Sequence, residues 1–324
     1  MTHEQAIERF RPIIPGVEEF HVDPERDPKS WHALRMDDAT ASQSPCLICE
    51  HDYITPRELF ELKKGRLPDP EETPAMLRGK LMEPVAVRYL CKEYPTWKFF
   101  QPSAYFRHKT RRMGATPDLF AVDPEREGFG IIQIKNPGYW AFRSKWLNSA
   151  GAIEAPTWIA IQALQEADLT GASWAAVAPF RTDNGLDIDL IDVPIHRGVL
   201  SKLQDEVADF WHRFEMDDPP PFDYRRDGDL IEDRFVPKHI VDMSDDKVLY
   251  ELALERDVLS SGKSSAEKRL KEIKAQILVR LPNVNKARIA DGRVISITRI
   301  PPKTIPATER SSYIDLRILA GGKK

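Results

Sequence analysis

Short apolar runs bounded by proline and glycine alternate, over the first two thirds of the chain, with stretches whose apolar positions recur every three or four residues. That alternation predicts an α/β fold. Helices are expected at Arg57–Lys64 and Pro74–Tyr94, the second with Leu81, Val85 and Tyr89 at steps of four and Glu83 off that stripe. Strands are expected at Trp97–Arg107, Arg112–Val122 and Gly128–Asn136, forming a β-meander. Helices Tyr139–Trp146 and Pro156–Leu169 follow, the latter opening on proline and stopping at Thr170-Gly171. Strands Trp174–Phe180 and Leu186–Pro194 and a helix Val199–Phe214 complete a mixed sheet flanked by helices.

Four segments are expected. Residues 1–30 are charged and punctuated by proline, an arm with a short helix at Glu4–Phe10, and residues 31–215 form the core. Met216-Asp-Asp-Pro-Pro-Pro-Phe222 opens a linker over 216–243, because proline cannot continue a helix. The extension 244–324 carries a helix at Asp245–Leu281, weakened at Ser260-Ser-Gly262. A hairpin then turns at Asp291-Gly292, and Ser311–Leu319 adds a third strand. This tail reads equally as an oligomerisation element, a DNA guide or a packing extension.

Candidate chemistry lies in the meander. Asp118 follows a proline turn, and fifteen residues later Ile131-Ile-Gln133-Ile-Lys135 alternates, so that Gln133 and Lys135 share one face of a strand. A carboxylate is the natural anchor for Mg²⁺, which binds hard oxygen ligands and needs only one or two carboxylates beside phosphate oxygens. A lysine beside such a metal holds or deprotonates the attacking water and offsets charge on the phosphate. The same spacing also suits an ordinary turn and the solvated face of an edge strand. Glu83 offers a third acid from a helix that packs on the sheet. Gln162 and Gln165, three apart on one helical face, can reach one neighbour.

Glu83-Pro84, Thr116-Pro117-Asp118, Gln133-Ile134-Lys135-Asn136-Pro137 and Gln162 before Thr170-Gly171, in this order, resemble the YqaJ family of phage recombination nucleases. That family is the lambda-exonuclease-like branch of the PD-(D/E)xK superfamily. The run Trp31-His-Ala-Leu-Arg35-Met-Asp-Asp-Ala-Thr40-Ala-Ser42 is similar to the stretch that opens its core, and the resemblance spans residues 28 to 215.

The resemblance implies a restriction-endonuclease-like core and a Mg²⁺-dependent 5′-to-3′ exonuclease on duplex DNA ends. It would leave 3′ overhangs for recombination and use two ions per site, with Mn²⁺ substituting. Asp118 takes the shared metal ligand position, Glu83 supports the second metal, Lys135 is the catalytic lysine, and Ile134 lends its backbone carbonyl. Gln162 orients water or substrate. Arg35 and Ser42 line a pocket for the 5′-phosphate, and Thr116 stands where the family has serine. The resemblance also implies a homotrimeric ring, a single-strand-annealing recombinase as partner, and a phage-encoded protein of the bacterial cytoplasm. One position departs: Gln133 stands where the family has glutamate, which removes a negative charge from the site.

Composition narrows the picture. With 324 residues and 41% hydrophobic content, the chain can bury one substantial core and a small second unit. A net charge of −4 and a pI of about 6.1 exclude a generic nucleic-acid coat. DNA contact then falls to local patches, first of all Arg107-His-Lys-Thr-Arg111-Arg112. Tyr139, Trp140, Phe142, Arg143, Lys145 and Trp146 mix aromatics with cations just after the catalytic strand and suit either DNA stacking or core packing. Three cysteines point to a reducing compartment and are too few for an iron–sulfur cluster, while Cys46-Leu-Ile-Cys49 is half a zinc site without a second half. No apolar run reaches the ~20 residues of a membrane span, and no signal peptide opens the chain. Two other functions remain open: a catalytically silent DNA-end-binding protein, suggested by Gln133, and an endonuclease of the same superfamily.

Overall fold

Two prolines set the architecture. Pro102 and Pro117 lack the N–H that a sheet ladder needs, and at each the chain leaves one sheet for another. The strand expected over Trp97–Arg107 is therefore two, β3 (Lys98–Phe100) and β4 (Tyr105–His108), and Arg112–Val122 is likewise β5 (Met113–Ala115) and β6 (Leu119–Val122). In this computed structural model, which describes residues 13–22, 26–68, 71–228, 230–231, 246–280, 286–288 and 294–296, the larger sheet also contains β7 (Gly130–Lys135), β8 (Trp174–Arg181), β9 (Asp187–Ile188) and β10 (Ile191–Val193). Its order is β10-β8-β7-β6-β3, with β9 against β8. The smaller sheet runs β1-β4-β5-β2, with β1 (Val17–Phe20) and β2 (Ala39–Thr40) on its edges. The segment read as an arm thus contributes a strand, while the helix expected at Glu4–Phe10 lies outside the described residues.

Strand β7 is central, antiparallel to β6 and parallel to β8, so both of its edges are hydrogen-bonded. That arrangement removes the reading of Gln133 and Lys135 as the solvated face of an edge strand. A parallel pair requires a crossover, and the crossover carries α4 (Tyr139–Lys145) and α5 (Thr157–Thr170). Four further helices precede and follow: α1 (Pro28–Met36), α2 (Pro56–Lys63), α3 (Pro74–Glu93) and α6 (Arg197–Met216). An antiparallel β6-β7 pair, a crossover and a parallel β8, with α3 on one face and α5 on the other, make the mixed α/β core that the sequence predicts.

The two faces of the sheet have separate cores. Leu119, Ile132, Ile134, Ala176 and Phe180 pack with Ala86 and Leu90 of α3, while Phe120, Ile131 and Val177 pack with Ile159 and Leu164 of α5 and with Leu203 and Phe210 of α6. On α3 the buried stripe is Met82, Val85, Ala86, Tyr89 and Leu90, the i, i+3, i+4, i+7, i+8 pattern of a helix on a surface. Leu81, expected on that stripe, is exposed. In the smaller sheet Gly114 leaves room for Tyr105, whose hydroxyl would lie on a side chain at that position and instead donates to the buried Asp38.

The chain divides into two compact units, through Leu230 and from Ile231. The second contains α7 (Lys247–Arg280), which runs unbroken through Ser260-Ser-Gly262, and the antiparallel strands β11 (Lys286–Arg288) and β12 (Val294–Ser296). Their register pairs Lys286 with Ser296 and Arg288 with Val294. The Asp291-Gly292 turn itself and the strand expected at Ser311–Leu319 lie outside the described residues. Among those described, no helix is long and apolar enough to cross a membrane.

Candidate active site

Alternation along β7 sends Ile132 and Ile134 towards α3 and Gln133 and Lys135 towards α5. Because Leu119 pairs with Ile132, Asp118 enters β6 opposite Gln133 on the α5 side. One polar network results. The Ile134 N–H donates to Asp118 Oδ2 at 2.8 Å, and Gln133 Nε2 donates to the same oxygen. Lys135 Nζ donates to Gln162 Oε1 at 3.1 Å, and Gln162 Nε2 donates to Gln133 Oε1 at 2.8 Å and to Glu166 Oε1 at 2.9 Å.

Glu166 is the residue that the sequence reading missed. It lies one turn after Gln162 on α5 and is 1% exposed, and its second oxygen, Oε2, is buried with no hydrogen-bond partner. The signal was the i, i+4 spacing from Gln162, which puts both on one helical face. Gln165 does not share their neighbour. It donates to the carbonyls of Ala39 and Gly114 and accepts from Ser44 Oγ, fastening α5 to the smaller sheet.

Burial governs the electrostatics. Withdrawal from water pushes the partly buried Asp118 carboxyl up to about 6, although Lys135, the Ile134 N–H and Gln133 pull it down. Burial, then the Asp118 charge, raises Glu166 well above the carboxylate range, against Gln162 and Lys135. Gln133 turns its Nε2 towards Asp118 and the Ile134 carbonyl and its amide oxygen towards Gln162. Asp118, the Gln133 amide oxygen and the Ile134 carbonyl are hard-oxygen donors of the type Mg²⁺ takes, so their chemistry fits a divalent cation. Glu83 is placed differently: it is partly buried on α3 and accepts from Gln101 Nε2 at 3.2 Å. No three His, Cys, Asp or Glu side chains draw together among the described residues, so Glu83, Asp118 and Glu166 do not close into one acidic cluster.

A second polar group adjoins the Asp118 turn. Trp31 and Arg35 are one turn apart on α1, and the Arg35 guanidinium lies 4.2 Å from the Trp31 ring centre and donates to Ser42 Oγ at 3.2 Å. Trp31 Nε1 donates to Thr116 Oγ1 at 3.1 Å, two residues before Asp118. Arg35, Ser42 and Thr116, widely separated in sequence, are thus drawn into one group. His51 backs it, its Nε2 against the Ser42 carbonyl at 3.1 Å, and burial lowers its pKa to about 4, so it is neutral at physiological pH.

The three arginines of the basic run each have a partner within the fold. Arg107 pairs with the buried Asp38 at 3.0 Å, Arg111 with Asp168 at 3.4 Å, and Arg112 stacks 3.4 Å from the Trp211 ring centre while bonding the Asp37 carbonyl. In the aromatic segment, Trp146 is buried and Phe142 half-buried, whereas Trp140 on α4 is 79% exposed.

A family model described as the YqaJ-like viral recombinase domain matches residues 30–173. No curated protein matches the chain. Among solved structures, the alkaline exonuclease LHK-Exo of Laribacter hongkongensis is 20% identical, with a TM-score of 0.45, over 63% of this chain and 98% of that one. The same enzyme in complex with dAMP has a TM-score of 0.46 at the same identity and coverage. A structure of SSO0001 is 11% identical, with a TM-score of 0.34, over 66% of this chain and 100% of that one.

Proposed function

We propose that this chain, which carries a YqaJ-type domain over residues 30–173, is a Mg²⁺-dependent exonuclease that degrades duplex DNA from its ends in the 5′-to-3′ direction. The observation that carries the reading is the adjacency of two groups: Asp118, Gln133 and Lys135 on one face of the sheet, and Arg35, Ser42 and Thr116 joined through Trp31 to the turn before Asp118. The first group suits a scissile phosphate and the second a terminal one.

Asp118, Gln133 and the Ile134 carbonyl would hold the metal, which when bound polarises the phosphate and lowers the pKa of the attacking water. Lys135, fixed by Gln162, holds that water through its ammonium, and its charge offsets the charge growing on the phosphate. Arg35 grips the 5′-phosphate through its guanidinium while Ser42 and Thr116 donate hydroxyls to the remaining oxygens. A terminal phosphate so held positions the strand for cleavage from its 5′ end. Glu83 would support a second ion from α3. The homotrimeric ring, the annealing recombinase and the phage-encoded, cytoplasmic setting rest on resemblance alone and belong to the same proposal.

One assay separates the readings: linear duplexes with and without a 5′-phosphate, beside a closed circle, with Mg²⁺. The exonuclease degrades the phosphorylated linear duplex and spares the circle. Cleavage of the circle makes it an endonuclease, and no metal-stimulated degradation makes it a silent end-binder. In the same assay Arg35→Ala is expected to reduce the preference for a 5′-phosphate by on the order of 10-fold or more, the loss of a charged hydrogen bond. An unchanged preference removes Arg35 from the pocket.

Gln133→Glu is expected to keep or raise activity when Mg²⁺ is limiting, since it adds a carboxylate opposite Asp118. Without metal the two carboxylates repel, so the variant melts below wild type in EDTA. Rate against Mg²⁺ concentration tests this: loss of cleavage in the variant rules out Gln133 as a ligand.

A further inference from the structure

A buried carboxylate oxygen with neither hydrogen-bond donor nor cation is unfavourable, because it has lost water and gained nothing in return. Glu166 Oε2 is such an atom. We propose that Glu166 supplies, from α5, the second carboxylate that Gln133 does not supply from β7, and that it faces the same divalent cation as Asp118. This rests on the metal-dependent reading above and extends it to a residue outside that ligand set.

Three observations carry it. Glu166 is joined to the site through one group, because Gln162 Nε2 donates to both Glu166 Oε1 and Gln133 Oε1. Two acceptors of one N–H₂ group are no farther apart than those two bonds laid end to end, the scale on which ligands share a cation. The free oxygen of Glu166 is buried, so a cation that reached it would complete its coordination without displacing an existing bond. Finally, the Lys135 ammonium is spent on the amide oxygen of Gln162 rather than on Asp118 or Glu166. A divalent cation offsets both carboxylates, and the neutral Gln133 between them keeps a third negative charge out of the site.

Gln162 alone does not account for Glu166, since holding that amide uses only one carboxylate oxygen. A ligand role and a purely structural role differ in one respect: a ligand can be replaced by a carboxylate delivered from another position.

The test is Mn²⁺ binding to the full-length, DNA-free protein, read from the electron paramagnetic resonance signal of the free ion, with folding checked by circular dichroism. E166Q keeps the shape and loses the charge, and is expected to weaken Mn²⁺ about 10-fold or more. The swap Q133E/E166Q restores the number of carboxylates and is expected to return the affinity to near wild type. Folded E166Q with wild-type affinity overturns the proposal. So does a swapped protein that binds as weakly as E166Q or fails to fold. Should E166Q alone not fold, the swap decides. D118N is the control for the underlying reading: if wild type binds no Mn²⁺, or D118N binds it equally well, the metal centre itself falls, whereas failure confined to Glu166 leaves that centre standing.

Discussion

Asp118→Asn is expected to abolish cleavage and, in metal-free protein at pH 8, to raise the melting temperature above that of wild type. Burial holds the Asp118 carboxyl at about 6 in the folded chain, against 3.8 for a free aspartate. A raised acid stabilises the fold while protonated, so its contribution is complete below pH ~4 and is lost as pH rises through ~6. Above that, charged Asp118 works against folding by on the order of 1–3 kcal/mol, which asparagine relieves. The gap in melting temperature should amount to several degrees at pH 8 and close towards pH 4. Added Mg²⁺ should reverse the order by stabilising wild type alone. Thermal denaturation in EDTA at both pH values checks this. If D118N melts below wild type at pH 8, Asp118 is a structural acid rather than a strained ligand.

Lys135→Ala should slow cleavage by about 10³-fold while leaving the affinity for DNA ends within a few-fold of wild type. Lys135 is the cation that draws Asp118 down against burial. Its removal should therefore raise the Asp118 carboxyl further and shift Mn²⁺ binding to higher pH. The two consequences are measured separately, by single-turnover cleavage and by binding of metal across pH. Full activity in K135A would end the mechanism, and an unshifted binding profile would separate Lys135 electrostatically from Asp118.

Both effects arise from residues legible in the sequence. The alternation of Ile131-Ile-Gln133-Ile-Lys135 identified the strand and the shared face, because side chains in a strand can point only two ways. The Pro-Asp turn at 117–118 marked where an acid would meet it. What the strand runs did not reveal is that Pro102 and Pro117 each divide one apparent strand between two sheets. Either side of a proline reads as apolar, and which partner each half finds depends on the ladder it joins.

Charged residues were less legible. Arg107, Arg111 and Arg112 read as a basic patch, yet their partners Asp38, Asp168 and Trp211 are distant in sequence and become neighbours only when β2, α5 and α6 pack around β4 and β5. Glu166 reads as an ordinary helical glutamate, since α5 is apolar enough to hide either face. It becomes a buried acid only because the Gln162 face meets β7.

The sequence alone determined the order and type of most elements, the acid, amide and lysine of the candidate site, and the five segments of its family resemblance. All of these depend on local stereochemistry, with its periods of two and near 3.6, and on residue type. Tertiary structure decided which charges were already satisfied, which buried carboxyl oxygen was left without a hydrogen bond, and that the Arg35, Ser42 and Thr116 group adjoins the turn before Asp118. Burial and pairing are properties of packed surfaces, and residues far apart in the chain share a surface only after the sheet and its helices have closed on one another.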